Sequence, residues 1–290
     1  MKKHIPLSIA SILALSVPGA ARAQELYVSD SQSGNVFAFS AGGVRNTFAS
    51  GLINPAGVAF NSAGDLFVSD TGSETIYEFT PGGVRTTFAS GLTGPVDLAF
   101  NSAGNLFEAD YNTGNIYKFT PTGVKSLFAS GLNGPDGMAF DSAGNLFVGA
   151  QLSDNIIKIT PGGVESVFAS GLNPNGLAFN SAGDLLEADA YSGNIYEFTP
   201  GGGQSLFSSG FNSPIGLTFD SAGNLFVSDW FGPTSHSIYK IAPGGTKSLF
   251  ASGLDYPEYM AFQPVPEPSV WAVLGMGGLA LIGSRRRARR

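Results

Sequence analysis

Six times the chain repeats a proline followed by a variable residue, at Pro55, Pro95, Pro135, Pro174, Pro214 and Pro257. The variable residues are Ala56, Val96, Asp136, Asn175, Ile215 and Glu258, three small or apolar and three bearing side-chain oxygens. Carboxylate and amide oxygens are the ligands that hard divalent cations such as Ca2+ take, with water completing the shell. If the six copies converge on one axis, Glu258, Asp136 and Asn175 make such a donor set for Ca2+ or another divalent cation. Composition excludes much other chemistry. With no cysteine, the chain has no disulfide framework, thiolate-held metal or thiol nucleophile. Two histidines, one of them His4, leave little for a His-ligated metal or a His-based triad. No residue is assigned to an organic cofactor.

The elements that must position those residues are legible as a repeat. Leu26-Tyr-Val-Ser-Asp30, Leu66-Phe-Val-Ser-Asp70, Leu106-Phe-Glu-Ala-Asp110, Leu146-Phe-Val-Gly-Ala150, Leu185-Leu-Glu-Ala-Asp189 and Leu225-Phe-Val-Ser-Asp229 begin 40, 40, 40, 39 and 40 residues apart. Each unit carries four short β-signals separated by Gly, Pro and Asn turn residues, which supply turn dihedrals and stop strands from running on. No sustained helical periodicity occurs between residues 24 and 262. The fold class expected is all-β: a six-bladed β-propeller of four-stranded blades around a channel. The chain enters on the second strand of a blade and leaves on a first strand. Glu258 to Phe262 should therefore pair beside Leu26 to Asp30 and close the ring, leaving no open end to the array.

The period, the Tyr/Phe-Val-x-Asp strand ends and the Pro-x-Gly-Leu-Ala-Phe strands resemble NHL repeats, within the broader group of gluconolactonase/regucalcin six-bladed propellers. That resemblance implies a metal held by Glu, Asn and Asp at the x position of the first, fourth and fifth blades. Glu258, Asp136 and Asn175 fall on those blades, with Asp and Asn exchanged. A further Asn of the third blade is Val96 here, although Asp97 follows it. The family's acid–base Asp would be Asp136.

Repetition also separates blade grammar from site. The Asp ending the second strand in five of six units (Asp30, Asp70, Asp110, Asp189, Asp229) reads as structural, accepting backbone N–H bonds in the turn that follows. Phe48, Phe88, Phe128, Phe168, Phe207 and Phe250 read as packing between blades. An uninterrupted pairing from Phe179 opposite Leu185 would place Asn175 opposite Asp189, Glu258 opposite Asp30 and Asp136 opposite Ala150. Loops on the same mouth carry Thr71, Tyr111, Gln151, Tyr191, Trp230 and Phe231, whose aromatic members suit stacking on sugar rings. Ligand-contact candidates are thus Asp30, Asp97, Tyr111, Gln151, Tyr191, Trp230 and Phe231. Glu108 and Glu187 stand where other units have Val, and must be hydrated, paired or protonated there.

The termini read as addresses. Residues 1–23 have the Lys2-Lys3 start, apolar run and Ala21-Arg22-Ala23 end of a secretory signal peptide. Residues 263–290 combine Val265-Pro-Glu-Pro268, an apolar stretch (269–283) and a tail with five arginines (284–290). They resemble the PEP-CTERM sorting signal of Gram-negative bacteria, which implies processing by an exosortase-type membrane protease after signal peptidase. Export across the inner membrane, transient anchoring by the C-terminal segment alone and a final place at the cell surface or outside it are expected. The whole chain carries a formal net charge of −7, but residues 24–264 hold 7 basic against 21 acidic residues, a net of −14. Such a body repels nucleic acid and attracts cations. The expected function is a monomeric, non-catalytic binding or matrix module for extracellular polysaccharide. A metal-dependent lactonase with Asp136 catalytic and a protein–protein interaction platform are the alternatives.

Overall fold

A computed structural model describes residues 24–231 and 236–264. The expected signal peptide (1–23), residues 265–290 of the expected sorting segment and residues 232–235 lie outside the described residues. Twenty-four strands assemble into six four-stranded antiparallel sheets, as the repeat predicts. In the second unit the blade runs Pro55–Phe60, Leu66–Asp70, Thr75–Phe79 and Arg85–Ser90 from the inside outward. The other units follow the same order. Pro257–Phe262 pairs antiparallel with Leu26–Asp30, so the first blade joins the last strand of the chain to the first three. Among the described residues no helix is long and apolar enough to cross a membrane, and a single 3-10 turn, Gln151–Ser153, is the only helical element.

Every second strand is buried along its whole length, because it has a strand on either side and a blade against each face. Its aromatic second residue anchors the next blade. Tyr27, Phe67, Phe107, Phe147 and Phe226 each meet two rings edge-on, with centroids 4.9–5.1 Å apart. Edge-to-face rings add roughly 0.5–1.5 kcal/mol per pair beyond area burial. The recurrent Phe48, Phe88, Phe168 and Phe250 are the same-blade partners in these pairs and also meet Phe79, Phe119, Phe198 and Phe39 of a neighbouring blade at 5.7–5.9 Å, as a packing role between blades requires. Between the fifth and sixth blades Leu186 replaces the ring and sits with Phe207 and Phe219. Phe107→Ala should therefore cost about 3–5 kcal/mol in urea unfolding. Phe107→Leu, which copies the Leu186 interface, should cost less than half as much.

The inner strands depart from uninterrupted pairing. In the fifth blade Pro174, not Asn175, lies opposite Asp189, while Leu177 lies opposite Glu187, so Asn175 and Gly176 together face one residue. The same β-bulge occurs in all six blades. The expected facing pairs Asn175–Asp189, Glu258–Asp30 and Asp136–Ala150 are thus each displaced by one residue, onto Pro174, Pro257 and Pro135. A bulge bends its strand and re-aims the extra residue. Here it turns the x residue away from the ladder.

Candidate functional site

The bulge is tolerated because little stands in its way. Four of the six residues after x are glycine, and a Cβ at Gly57, Gly137, Gly176 or Gly216 would lie 2.4, 2.0, 2.1 or 2.5 Å from a carbonyl oxygen of the next inner strand. Facing each bulge is a small residue. Three are serines: Ser29, Ser69 and Ser228 donate to carbonyls of the neighbouring inner strand, at Ala56, Val96 and Glu258. The inner strands therefore approach one another closely at this level, and the x residues are gathered at one mouth.

The two remaining positions after x are Asp97 and Tyr259. Tyr259 leaves the first blade, spans the channel and donates its hydroxyl proton to Asp136 Oδ1 in the fourth, the blade opposite. Asp97 accepts from the Leu98 N–H at 2.8 Å and from the Met138 N–H at 2.7 Å, tying the third blade to the fourth. Asp136 also lines a pocket of about 340 Å³, together with Asn175, Glu258, Gln151, Tyr191 and Trp230, with Val96 and Ile215 as apolar walls. A second relay runs along one wall. Tyr111 donates to Gln151 Oε1 at 2.9 Å, Gln151 Nε2 donates to Asn175 Oδ1 at 3.0 Å, and Asn175 Nδ2 donates to the Asn173 carbonyl at 3.2 Å.

Burial governs the acid groups. It pushes the Asp136 carboxyl up to about 6, against the lowering effect of the Tyr259 hydrogen bond. It pushes Glu258 up to about 7; Ser31 and Trp230 ease this, and the charges of Asp136 and Asp30 add to it. Asp97 rises to about 8, again through burial, with its two backbone donors opposing and Asp136 adding. The Tyr259 hydroxyl is held well above its ordinary value by burial and by the acids around it. The indole N–H of Trp230 approaches Glu258 without completing a hydrogen bond, and is wholly enclosed.

The structure thus brings Glu258, Asp136 and Asn175 to one pocket, together with Gln151, Tyr191 and Trp230. Tyr111 acts through Gln151, and Phe231 meets Trp230 edge-on at 5.3 Å while half exposed. Asp30 and Asp97 stand apart from the pocket lining. Asp30 Oδ2 accepts from the Asp255 N–H at 2.7 Å, the role its equivalents share: Asp70 accepts from Ile53 and Asn54, and Asp229 from Asn212 and Ser213. The carboxylate binds mainly the loop leading into its own blade's inner strand, and in Asp30, Asp110 and Asp189 also the turn that follows. Tyr259 was not singled out by the x position; its signal is that it replaces the recurrent Gly. A larger cleft of about 450 Å³ lies between the fourth and fifth blades, at the far end of the inner strands from this mouth.

Of the side-chain oxygens gathered here, Asn175 Oδ1 already accepts from Gln151 and Asp136 Oδ1 from Tyr259, and Val96 supplies none. Among the described residues no three or more His, Cys, Asp or Glu side chains are arranged to hold a metal ion.

Glu108 and Glu187 answer the question their sequence position raised. Both are fully buried against the preceding blade, and neither carboxyl oxygen of either has a hydrogen-bond partner. Burial first, then the charge of Asp110 or Asp189, pushes each up to about 9, so they are protonated at neutral pH.

No family model matches the chain, and no curated protein matches it. Among solved structures it is similar to a chain of a nidogen/laminin complex, at 20% identity and a TM-score of 0.75 over 83% of this chain and 99% of that one. It is also similar to a gluconolactonase from Xanthomonas campestris, at 18% identity and a TM-score of 0.65 over 79% and 87%. A virginiamycin B lyase from Staphylococcus aureus follows at 16% and 0.59 over 81% and 78%. At such identities the likeness extends to the fold alone, and the chain is a six-bladed propeller with structural neighbours among gluconolactonase-like and nidogen propellers.

Proposed function

We propose that the protein is an exported, surface-sorted module that binds extracellular polysaccharide at the channel mouth, without catalysis. The observation that carries this reading is the make-up of the pocket. Tyr191 stands 92% exposed at its rim and Trp230 forms a wall. Between them lie the amides and carboxyls of Gln151, Asn175, Asp136 and Glu258. Apolar ring faces with hydrogen-bonding groups between them suit a pyranose, whose C–H face stacks while its hydroxyls exchange hydrogen bonds. Titration of the full-length chain with oligosaccharides of defined composition tests it: saturable binding is expected, reduced at least tenfold by Tyr191→Ala/Trp230→Ala. Absence of binding to every oligosaccharide would sink the reading.

The alternative is a metal-dependent lactone hydrolase, favoured by the gathering of Glu258, Asp136 and Asn175 in one pocket. It requires a cation there. Millimolar CaCl2 should then raise the melting temperature by mass action, with lactone hydrolysis lost in Asp136→Asn. No thermal shift and no hydrolysis would leave the binding module.

A further inference from the structure

Resting on the saccharide reading, the geometry points to a more specific ligand. We infer that the channel-mouth pocket takes an amino sugar with a free amine, its ammonium between Glu258 and Asp136 and its ring against Trp230 and Tyr191. The lining holds two carboxyl groups and no Lys, Arg or His, so nothing in the pocket neutralises them. Their proximity is felt, since the Asp136 charge raises Glu258. An ammonium group has three N–H donors and no acceptor. It asks for two or three oxygens, where Ca2+ asks for six or more. The free carboxyl oxygens available here match the smaller demand, while Gln151 and Tyr259 occupy the rest.

A second observation points the same way. The Trp230 indole N–H is enclosed in the pocket wall beside Glu258 and completes no hydrogen bond there. A buried donor without a partner costs about 1–3 kcal/mol, and a sugar hydroxyl oxygen beside the ammonium would relieve it. A metal ion offers nothing to an N–H. The ligand is thus one that presents a cation to the carboxyls, an acceptor to the indole and an apolar face to the rings. A free-amine hexosamine has all three. Its binding also explains how two acids can line one pocket, because the ammonium supplies the positive charge that the lining lacks.

The test is calorimetric titration of the full-length protein at 0.5 M NaCl with glucosamine tetramers, their fully N-acetylated counterparts, neutral glucose tetramers, and CaCl2. The free-amine tetramer should bind at least tenfold more tightly than the acetylated and neutral ones. Asp136→Asn/Glu258→Gln should erase that preference and leave residual binding at the neutral level. Trp230→Phe, which keeps the ring and removes the N–H, should weaken all saccharides several-fold without altering their order. Equal or tighter binding of the neutral tetramer overturns the amine assignment and leaves the saccharide reading standing, whereas no binding of any tetramer overturns both. An amine preference that survives in the double variant comes from the acidic body at large and overturns the site. So does saturable Ca2+ binding lost in that variant when no amine preference is seen. The ligand series is run on the unaltered protein, so misfolding of a variant leaves the first comparison decisive.

Discussion

Replacing Glu108 and Glu187 by valine should stabilise the protein at neutral pH and remove much of its loss of stability toward alkaline pH. Valine is the residue at this position in the other four blades, as Val28, Val68, Val148 and Val227, all wholly buried. Each glutamate instead places two partnerless oxygens in the same apolar layer. Its carboxyl is raised from an ordinary 4.5 to about 9 by burial, with Asp110 or Asp189 adding to the shift. The folded protein therefore keeps a proton that the unfolded chain releases above pH 4.5. The stability tied to that proton is complete below pH 4.5 and falls away as pH rises toward 9. At 1.36 kcal/mol per pH unit, the loss at pH 7 is on the order of 3 kcal/mol for each group.

Urea unfolding of wild type and Glu108→Val/Glu187→Val at pH 5, 7 and 8.5 checks this. The gap between the two should widen with pH. Glu108→Gln/Glu187→Gln, neutral but still polar, should flatten the profile while gaining less at pH 5, because its amides remain unpaired. Asp97, Asp136 and Glu258, raised to about 8, 6 and 7, leave the variants a residual slope of the same sign. A valine variant less stable than wild type at pH 8.5 would mean that the glutamates are charged and satisfied, and would overturn the account.

The second large effect is expected from a single methyl group on the inner strands. Gly137→Ala and Gly176→Ala should each cost about 3 kcal/mol or more, the upper range for overpacking a core. A Cβ at Gly137 would lie 2.0 Å from the Asn175 carbonyl oxygen, and one at Gly176 2.1 Å from that of Ile215. Both obstacles are backbone, so neither can swing aside as a side chain would. The inner strands would have to separate where Asp136 and Asn175 are held together, and saccharide binding should fall even in protein that still folds. Gly42→Ala is the control. Its nearest neighbour, Ser40 Oγ, is 3.9 Å away, and unfolding should show it within about 0.5 kcal/mol of wild type. A Gly137→Ala variant as stable as Gly42→Ala would show that the strands can relax apart.

Much of this architecture is local enough to be written along the chain. A 40-residue period, turn residues at fixed offsets and apolar alternation specify one blade, and six copies with a displaced start specify a ring closed by Pro257–Phe262 on Leu26–Asp30. The x positions are legible for the same reason, because a residue that varies where its five equivalents can be compared stands out. That logic reached Glu258, Asp136 and Asn175, and it reached the odd carboxylates Glu108 and Glu187. It did not reach the bulge. A one-residue offset between Pro and the fourth position leaves no mark in a short alternating run, and it moved every expected facing pair.

What the amino-acid order determined by itself is the blade, the number of blades, the closure and the acidic character of the body, since each follows from neighbours in sequence or from simple repetition. Tertiary structure alone decided which polar groups share a pocket and which are already engaged. Tyr259 meets Asp136 across the channel from a position 123 residues away, Asp97 is spent on the Met138 N–H 41 residues on, and the Trp230 N–H is left short of a completed hydrogen bond to Glu258. Hydrogen bonds between distant blades depend on ångström-scale placement around a closed ring. That placement is set by how closely glycine lets the inner strands approach.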